Sequence, residues 1–246
     1  MKFNMRCFIA LFKKDFKNSF TNKNVLLLLC LPVMFCLLYT MIYSDMEGIP
    51  TGFVTILCIV LVLSIIPVNI LANMVAEEKE KHTLRSLMMA NVSASEFLLS
   101  KTTNNNATVA LLLVVLDSFL IFICCGEGFL NIGYLLIVIT IVSIGLLFFG
   151  ALVGLLSKDQ MSAGTLSSPI MILLMLPPMF ANMNAFFEKI AVAFPTTSFK
   201  TLYFILQDGQ SLFSQDALIA FGVAVAWIVL GLIGFTIVYK KRGLDD

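Results

Sequence analysis

Residues 76–101 read AEEKEKHTLRSLMMANVSASEFLLSK, from Ala76 to Lys101, and the reading of this stretch decides the fold. Strongly apolar runs flank it, so it is a polar island between two hydrophobic segments. Glu77, Glu78, Lys79, Glu80, Lys81, Arg85, Glu96 and Lys101 all fall inside it. Leu84, Leu87 and Met88 follow at i, i+3 and i+4 and therefore share one face of a helix. Ser93 stands three residues before Glu96, just ahead of Phe97, Leu98 and Leu99. That spacing is a capping box, in which hydroxyl and carboxylate each accept from an orphan amide at a helix start. The pattern predicts a short helix, a turn at Ala90–Asn91 and a restarted helix, all on one side of a membrane. Such a unit suits contact with another protein, yet a charged linker between two spans has the same composition. The residues alone leave both readings open.

Outward from this island the chain is apolar. Hydrophobic residues make up 59% and charged residues 13%, against roughly 25% charged in soluble domains, which points to a membrane protein. A hydrocarbon layer of about 30 Å needs about 20 apolar residues per helix. Six stretches meet that length: Val25–Tyr43, Gly52–Val75, Ala107–Cys125, Ile132–Leu156, Pro169–Phe187 and Ala217–Tyr239. Pro32, Pro67 and the Pro177-Pro178 pair fall inside them, where each removes a backbone hydrogen bond and is expected to kink its helix. The fold class expected is an all-α membrane protein of six spans, with residues 1–246 as one domain and no internal repeat.

Before the first span, Phe8, Phe12, Phe16 and Phe20 recur every four residues, with Lys13, Lys14 and Lys17 between them. Residues 1–24 therefore read as an amphipathic helix in the membrane interface, phenylalanines down and lysines towards anionic lipid headgroups, and not as a signal peptide. Lysine and arginine counting orients the chain. With the N-terminus inside, Lys189 and Lys200 are the only ones of the 16 left outside. Both termini and residues 76–106 are then cytoplasmic. The loops at Ser44–Thr51 and Gly126–Asn131 are short, whereas residues 188–216 are too long for a turn. They mix the apolar runs Ile190–Phe194 and Leu202–Leu206 with Pro195, Thr196, Thr197 and Ser198. Two short helices dipping into the outer leaflet around that Pro-Thr-Thr-Ser turn are expected, because irregular backbone at depth must be covered by protein or a wet cavity. A surface-lying loop is the alternative.

The island carries a resemblance. Glu78-Lys79-Glu80, then Thr83-Leu84, Leu87-Met88, Val92-Ser93, Glu96 and Lys101, resemble the signature of ABC-2 type permeases, the membrane subunits of ATP-driven exporters. That family usually reads E-K/R-E-x-G-T-L-E-x-L-L-x-x-P-V-S-x-x-E-x-x-x-G-K. Here His82 replaces the first glycine, Arg85 the acid, Asn91 the proline and Ser100 the second glycine. The resemblance implies that this segment is a coupling helix docking on a separate ATPase subunit, which binds ATP and magnesium. It also implies a surface helix before the first span and a re-entrant segment before the last. Two permease copies, identical or homologous, would pair with spans one, two and five bordering the path.

The chemistry motifs are sparse. No glycine is followed by lysine, so the phosphate loop G-x-x-x-x-G-K-S/T is missing. G-x-S-x-G and H-E-x-x-H are missing too, and neither an ATPase nor another enzyme is expected of this chain. His82 is the only histidine, and of Cys7, Cys30, Cys36, Cys58, Cys124 and Cys125 all but Cys7 sit in apolar runs. No metal site, cofactor, disulfide framework or nucleic-acid partner is expected. Asp117 is the one charged residue inside a span. It is either a functional group or a protonated or Asn/Thr-bonded structural one. Met171, Met175, Met179 and Met183, four apart, form one stripe suited to amphiphilic cargo, or to ordinary packing. Gly150-x-x-x-Gly154 permits close helix approach and reads as packing within the chain. The expected function is outward transport of an amphiphile, such as an antimicrobial peptide or hydrophobic drug. Ions, lipids or glycans are alternative cargoes, and an ion-gradient-driven secondary transporter using Asp117 is the rival class.

Overall fold

A 28-residue apolar helix, Phe53–Glu80, runs through the middle of the protein and is almost wholly buried. In the computed structural model, which describes residues 5–21, 23–43, 52–89, 92, 94–106, 114–125, 132–181 and 183–242, most of the other helices pack around it. It is made of α3 (Phe53–Ile65), a five-residue π-helical segment at Ile66–Ile70 and α4 (Leu71–Glu80). Before it come α1 (Met5–Thr21) and α2 (Lys23–Tyr43), and after it α5 (Thr83–Met89), α6 (Ala94–Asn106) and α7 (Val114–Cys125). Then follow α8 (Ile132–Leu156), α9 (Gln160–Phe180), α10 (Ala185–Ala191), α11 (Pro195–Gln207) and α12 (Gln215–Arg242). No strand occurs among the described residues. Five helices are long and apolar enough to cross a membrane: α2, the central helix, α8, α9 and α12. Of the expected third span, residues 114–125 are described as α7, and the expected loops at Ser44–Thr51 and Gly126–Asn131 lie outside the described residues.

Two glycines set the spacing of the core. A Cβ at Gly150 would stand 2.7 Å from the Pro67 carbonyl oxygen, and one at Gly154 would stand 2.6 Å from that of Ala72. The backbone of α8 thus lies directly on the backbone of the central helix, and the Gly150-x-x-x-Gly154 pattern is a packing face within the chain. On the other side of α8, Gly231 of α12 approaches the Phe148 Cβ to 2.8 Å on the same count.

The prolines act in two ways. Pro67 cannot donate to the carbonyl four residues back, and the winding loosens there into the π segment. Pro178 leaves the Leu174 carbonyl without its helical donor. Thr196 of α11 supplies the missing hydrogen bond at 2.7 Å.

Three expected boundaries move. The fifth span begins at Gln160, not Pro169, and ends at Phe180, not Phe187. Asp159 caps it: its side chain accepts from the Ser162 amide while the Ser162 hydroxyl accepts from the Asp159 amide. The run MSAGTLSS reads as a polar loop, but serine and threonine hydroxyls here bond carbonyls one turn back, as Thr165 does to Met161 and Ser168 to Gly164. Met183 therefore lies beyond the helix carrying the other three methionines. Second, Pro195–Ser198 is not a turn but the first turn of α11, with Pro195 at its start and the break at residues 192–194. Third, Ala76–Glu80 is the last part of α4 and not the start of a loop.

Candidate functional site

The polar end of α4 and the residue after it put five consecutive charges, Glu77 to Lys81, on little more than one helical turn, so they point in different directions. Lys79 donates to the Ser157 carbonyl at the end of α8, at 3.2 Å. Glu80 accepts from the Gln160 amide at the start of α9, at 3.1 Å. Lys81 pairs with Glu77 one turn back. Glu78 points inwards and is buried.

Around Glu78 the segment closes on itself. The Lys14 ammonium of α1 donates to it at 2.7 Å, the Lys101 ammonium of α6 at 3.3 Å, and the Thr83 hydroxyl at the start of α5 also donates to it. Lys101 is 2% exposed, and its second partner is Asp15 of α1 at 2.9 Å. It also stands 5.2 Å from the centre of the Phe97 ring, one turn back on α6. Two carboxylates and one ammonium, buried together and bridged to a second lysine, tie α1, α4, α5 and α6 at a single junction. Burial pushes the Asp15 carboxyl above its ordinary value, and the neighbouring Lys101 pulls it back only in part.

Glu78, Thr83 and Lys101, from the two ends of the island, therefore meet. The chain between them turns at His82, whose φ of 55° is the one positive value of a non-glycine residue among those described. This is the position where the resembled signature carries glycine, which takes the left-handed conformation without steric cost.

Most of the island's apolar residues face the core, Leu99 and Met89 being exposed. Leu84, Val92 and Phe97 are buried in a cluster with Leu11 of α1, Val75 of α4, Leu147 of α8 and Tyr239 of α12. Leu87 packs against that cluster from its edge. Glu96 is buried in the first turn of α6. What α5 turns outwards is Ser86 and Met89, the latter 78% exposed. Ser93, the Ala90–Asn91 turn and the Met88 side chain lie outside the described residues.

The remaining candidates are scattered. Asp117 is fully buried between α2 and α7, where the Cys36 thiol reaches its backbone carbonyl at 3.8 Å. Neither carboxyl oxygen has a hydrogen-bond partner among the described residues. Met171 and Met175 are half-buried against the main core, whereas Met179 and Met183 are exposed. At the far end of the bundle α11 is wedged among α3, α8, α9 and α12. The Lys200 ammonium donates to the Pro178 carbonyl at 2.9 Å and the Trp227 indole to that of Ala193 at 2.9 Å. Sequence reasoning missed Asp15: lone on a basic helix, it carries no periodicity that marks it.

Apolar spans around a buried central helix, with a charged junction at one end, define a multi-pass helical membrane protein. The family model of ABC-2 family transporter proteins matches residues 47–239, and the chain belongs to that family. It is a transmembrane subunit of an ABC transporter, and membership implies an ATP-binding partner subunit. A search of curated proteins finds no match.

Proposed function

We propose that this chain is the permease of an ABC exporter and moves an amphiphilic cargo outwards across the cell membrane. Two permease copies, identical or homologous, work with two ATPase subunits that hold ATP and magnesium. The observation that carries this reading is the junction at Glu78, Thr83 and Lys101. A push on α5 by a closing ATPase pair is delivered through buried ion pairs to α1, α4 and α6 together, so the segment moves as one lever. Residues 76–106 are the coupling segment, lying in the cytoplasm with both termini. The N-terminal helix lies in the inner interface, a sixth span is completed by residues 107–125, and residues 188–216 form the re-entrant outer segment. Glu78, Lys79, Glu80, Thr83, Leu84, Leu87, Met88, Val92, Ser93, Glu96 and Lys101 shape the coupling segment. Within it Ser86 and Met89 offer the surface to the ATPase. Met171, Met175, Met179 and Met183 border the path.

The test is copurification with an ABC ATPase subunit coexpressed from the same genome, followed by ATP-driven uptake of amphiphilic peptide into inside-out vesicles. Uptake that follows an imposed proton gradient and ignores ATP would transfer the function to the secondary-transport class. Asp117, fully buried and with no hydrogen bond to its carboxyl among the described residues, favours that rival.

A further inference from the structure

A cavity of about 760 Å³ opens between the start of α2, the π segment and α4, and the first half of α9. Val25, Leu28 and Met74 give it apolar walls, and Met161 stands at its edge. Its inner end is polar. Asn69 Oδ1 accepts from Asn73 at 3.0 Å and from Ser167 at 2.8 Å, and Asn73 also donates to the Asn69 backbone carbonyl at 2.8 Å. The Asn69 N–H groups and the Asn73 side-chain carbonyl are left without a partner among the described residues. One amide donor and one amide acceptor thus stand side by side next to the apolar wall of α2 and Met74, which matches the C=O and N–H of a peptide unit.

Among the described residues the rim is acidic. Glu77, Glu80 and Asp159 line it, and no lysine or arginine does so among the described lining residues. Lys81 answers Glu77. Glu80 and Asp159 bond the backbone amides of Gln160 and Ser162, and neither forms a salt bridge among the described residues. Hydrogen bonds from Ser162 hold the Asp159 carboxyl below its ordinary range, so it stays ionised. Eleven helical positions separate Asn69 from Glu80, roughly 16 Å at 1.5 Å per residue. Extended chain covers that depth in about five residues.

We propose that this cavity is the loading site for cargo, and that it takes a short apolar peptide segment carrying positive charge. The apolar side chains lie on α2 and Met74, one backbone amide pairs with Asn69 and Asn73, and the cationic end rests against Glu80 and Asp159. The inference rests on the transport reading above and adds the class of substrate to it.

Gly164 supplies the test. A Cβ placed there meets nothing nearer than the Asn73 Oδ1 at 4.0 Å, so a side chain fits the helix and grows into the cavity. Binding is measured by fluorescence anisotropy on the full chain in zwitterionic nanodiscs without ATP, with empty discs subtracted. The probes are two labelled hexapeptides of four leucines, ending in two lysines or two glutamates. The lysine peptide is expected to bind at least tenfold tighter. Gly164→Leu and Asn73→Leu should each cut its affinity about tenfold with the melting temperature held. The double change Glu80→Gln with Asp159→Asn, which keeps the acceptor and the cap, should erase the preference for lysine over glutamate. Equal binding of both peptides, or unchanged binding by Gly164→Leu, overturns the proposal, and if that variant fails to fold the charge pair decides. Binding without ATP-driven uptake refutes the exporter reading and keeps the site. Uptake indifferent to these changes does the reverse.

Discussion

Lys101 is the residue on which the most structure depends. It neutralises Asp15 and Glu78 in a buried junction, and removing one partner of such a group leaves uncompensated charge. Lys101→Met should therefore cost about 3–5 kcal/mol, read as a lowered unfolding midpoint in detergent. Asp15 gives the junction a pH dependence of known sign. Its folded pKa is raised above 3.8, so the folded state holds a proton that the unfolded chain has released. Stability from this group is therefore present at acid pH and lost as pH rises above 3.8. Asp15→Asn should flatten the stability profile across that window, and a profile that steepens instead would refute the assignment. His82 offers the opposite effect. At a φ of 55° a side chain costs roughly 1 kcal/mol over glycine, so His82→Gly should raise the melting temperature and leave transport intact.

At the scale of elements, the short helix α5 separates folding from docking. Leu84 belongs to the internal cluster that joins α1, α6, α8 and α12, so Leu84→Asp should destabilise the permease itself. Met89 is exposed on the same helix, and on the proposed reading it meets the ATPase. Met89→Asp should reduce ATPase copurification at least tenfold while the isolated permease melts as before. Equal melting losses in both variants would count against this division.

The sequence was readable where the physics is local. The apolar runs of α2, α8 and α12 fell within a few residues of their observed limits, because length and hydropathy suffice for a span. The signature residues Glu78, Thr83 and Lys101 were also legible. The start of α9 was hidden, since hydroxyls that satisfy carbonyls within a helix look like loop residues in a string. Asp15 was hidden for another reason: its partner lies 86 positions away, and no spacing rule reaches that far. The cavity at Asn69 and Asn73 likewise needs three helices brought together before it exists.

On the whole-molecule scale the question is which group governs passage of cargo, the methionines of α9 or the acid of α7. An amphiphile carried by ATP needs adaptable apolar contacts and no titrating group in its path. The two candidates can be separated because they lie on different helices and differ in exposure. Met179 is exposed, so Met179→Asp adds charge to the outer face of α9 without opening a hole in the core. Met179 stands in the last turn of α9, where a charge costs less than the ~3 kcal/mol it would at mid-depth, so a loss of transport in this variant reports on cargo contact or on pairing with the second copy. Met175 is half-buried against the core, and Met175→Leu conserves volume, so folding should hold while cargo preference shifts. Asp117→Asn keeps the shape of a side chain that makes no hydrogen bond among the described residues, and efflux should persist. The measurement is cargo uptake into inside-out vesicles supplied with external ATP, across a pH series for all three variants. An unchanged pH profile for Asp117→Asn beside a loss in Met179→Asp fits the ATP-driven path along α9. Abolished uptake in Asp117→Asn with silent methionine variants would move the path to α7 and the energy source to an ion gradient.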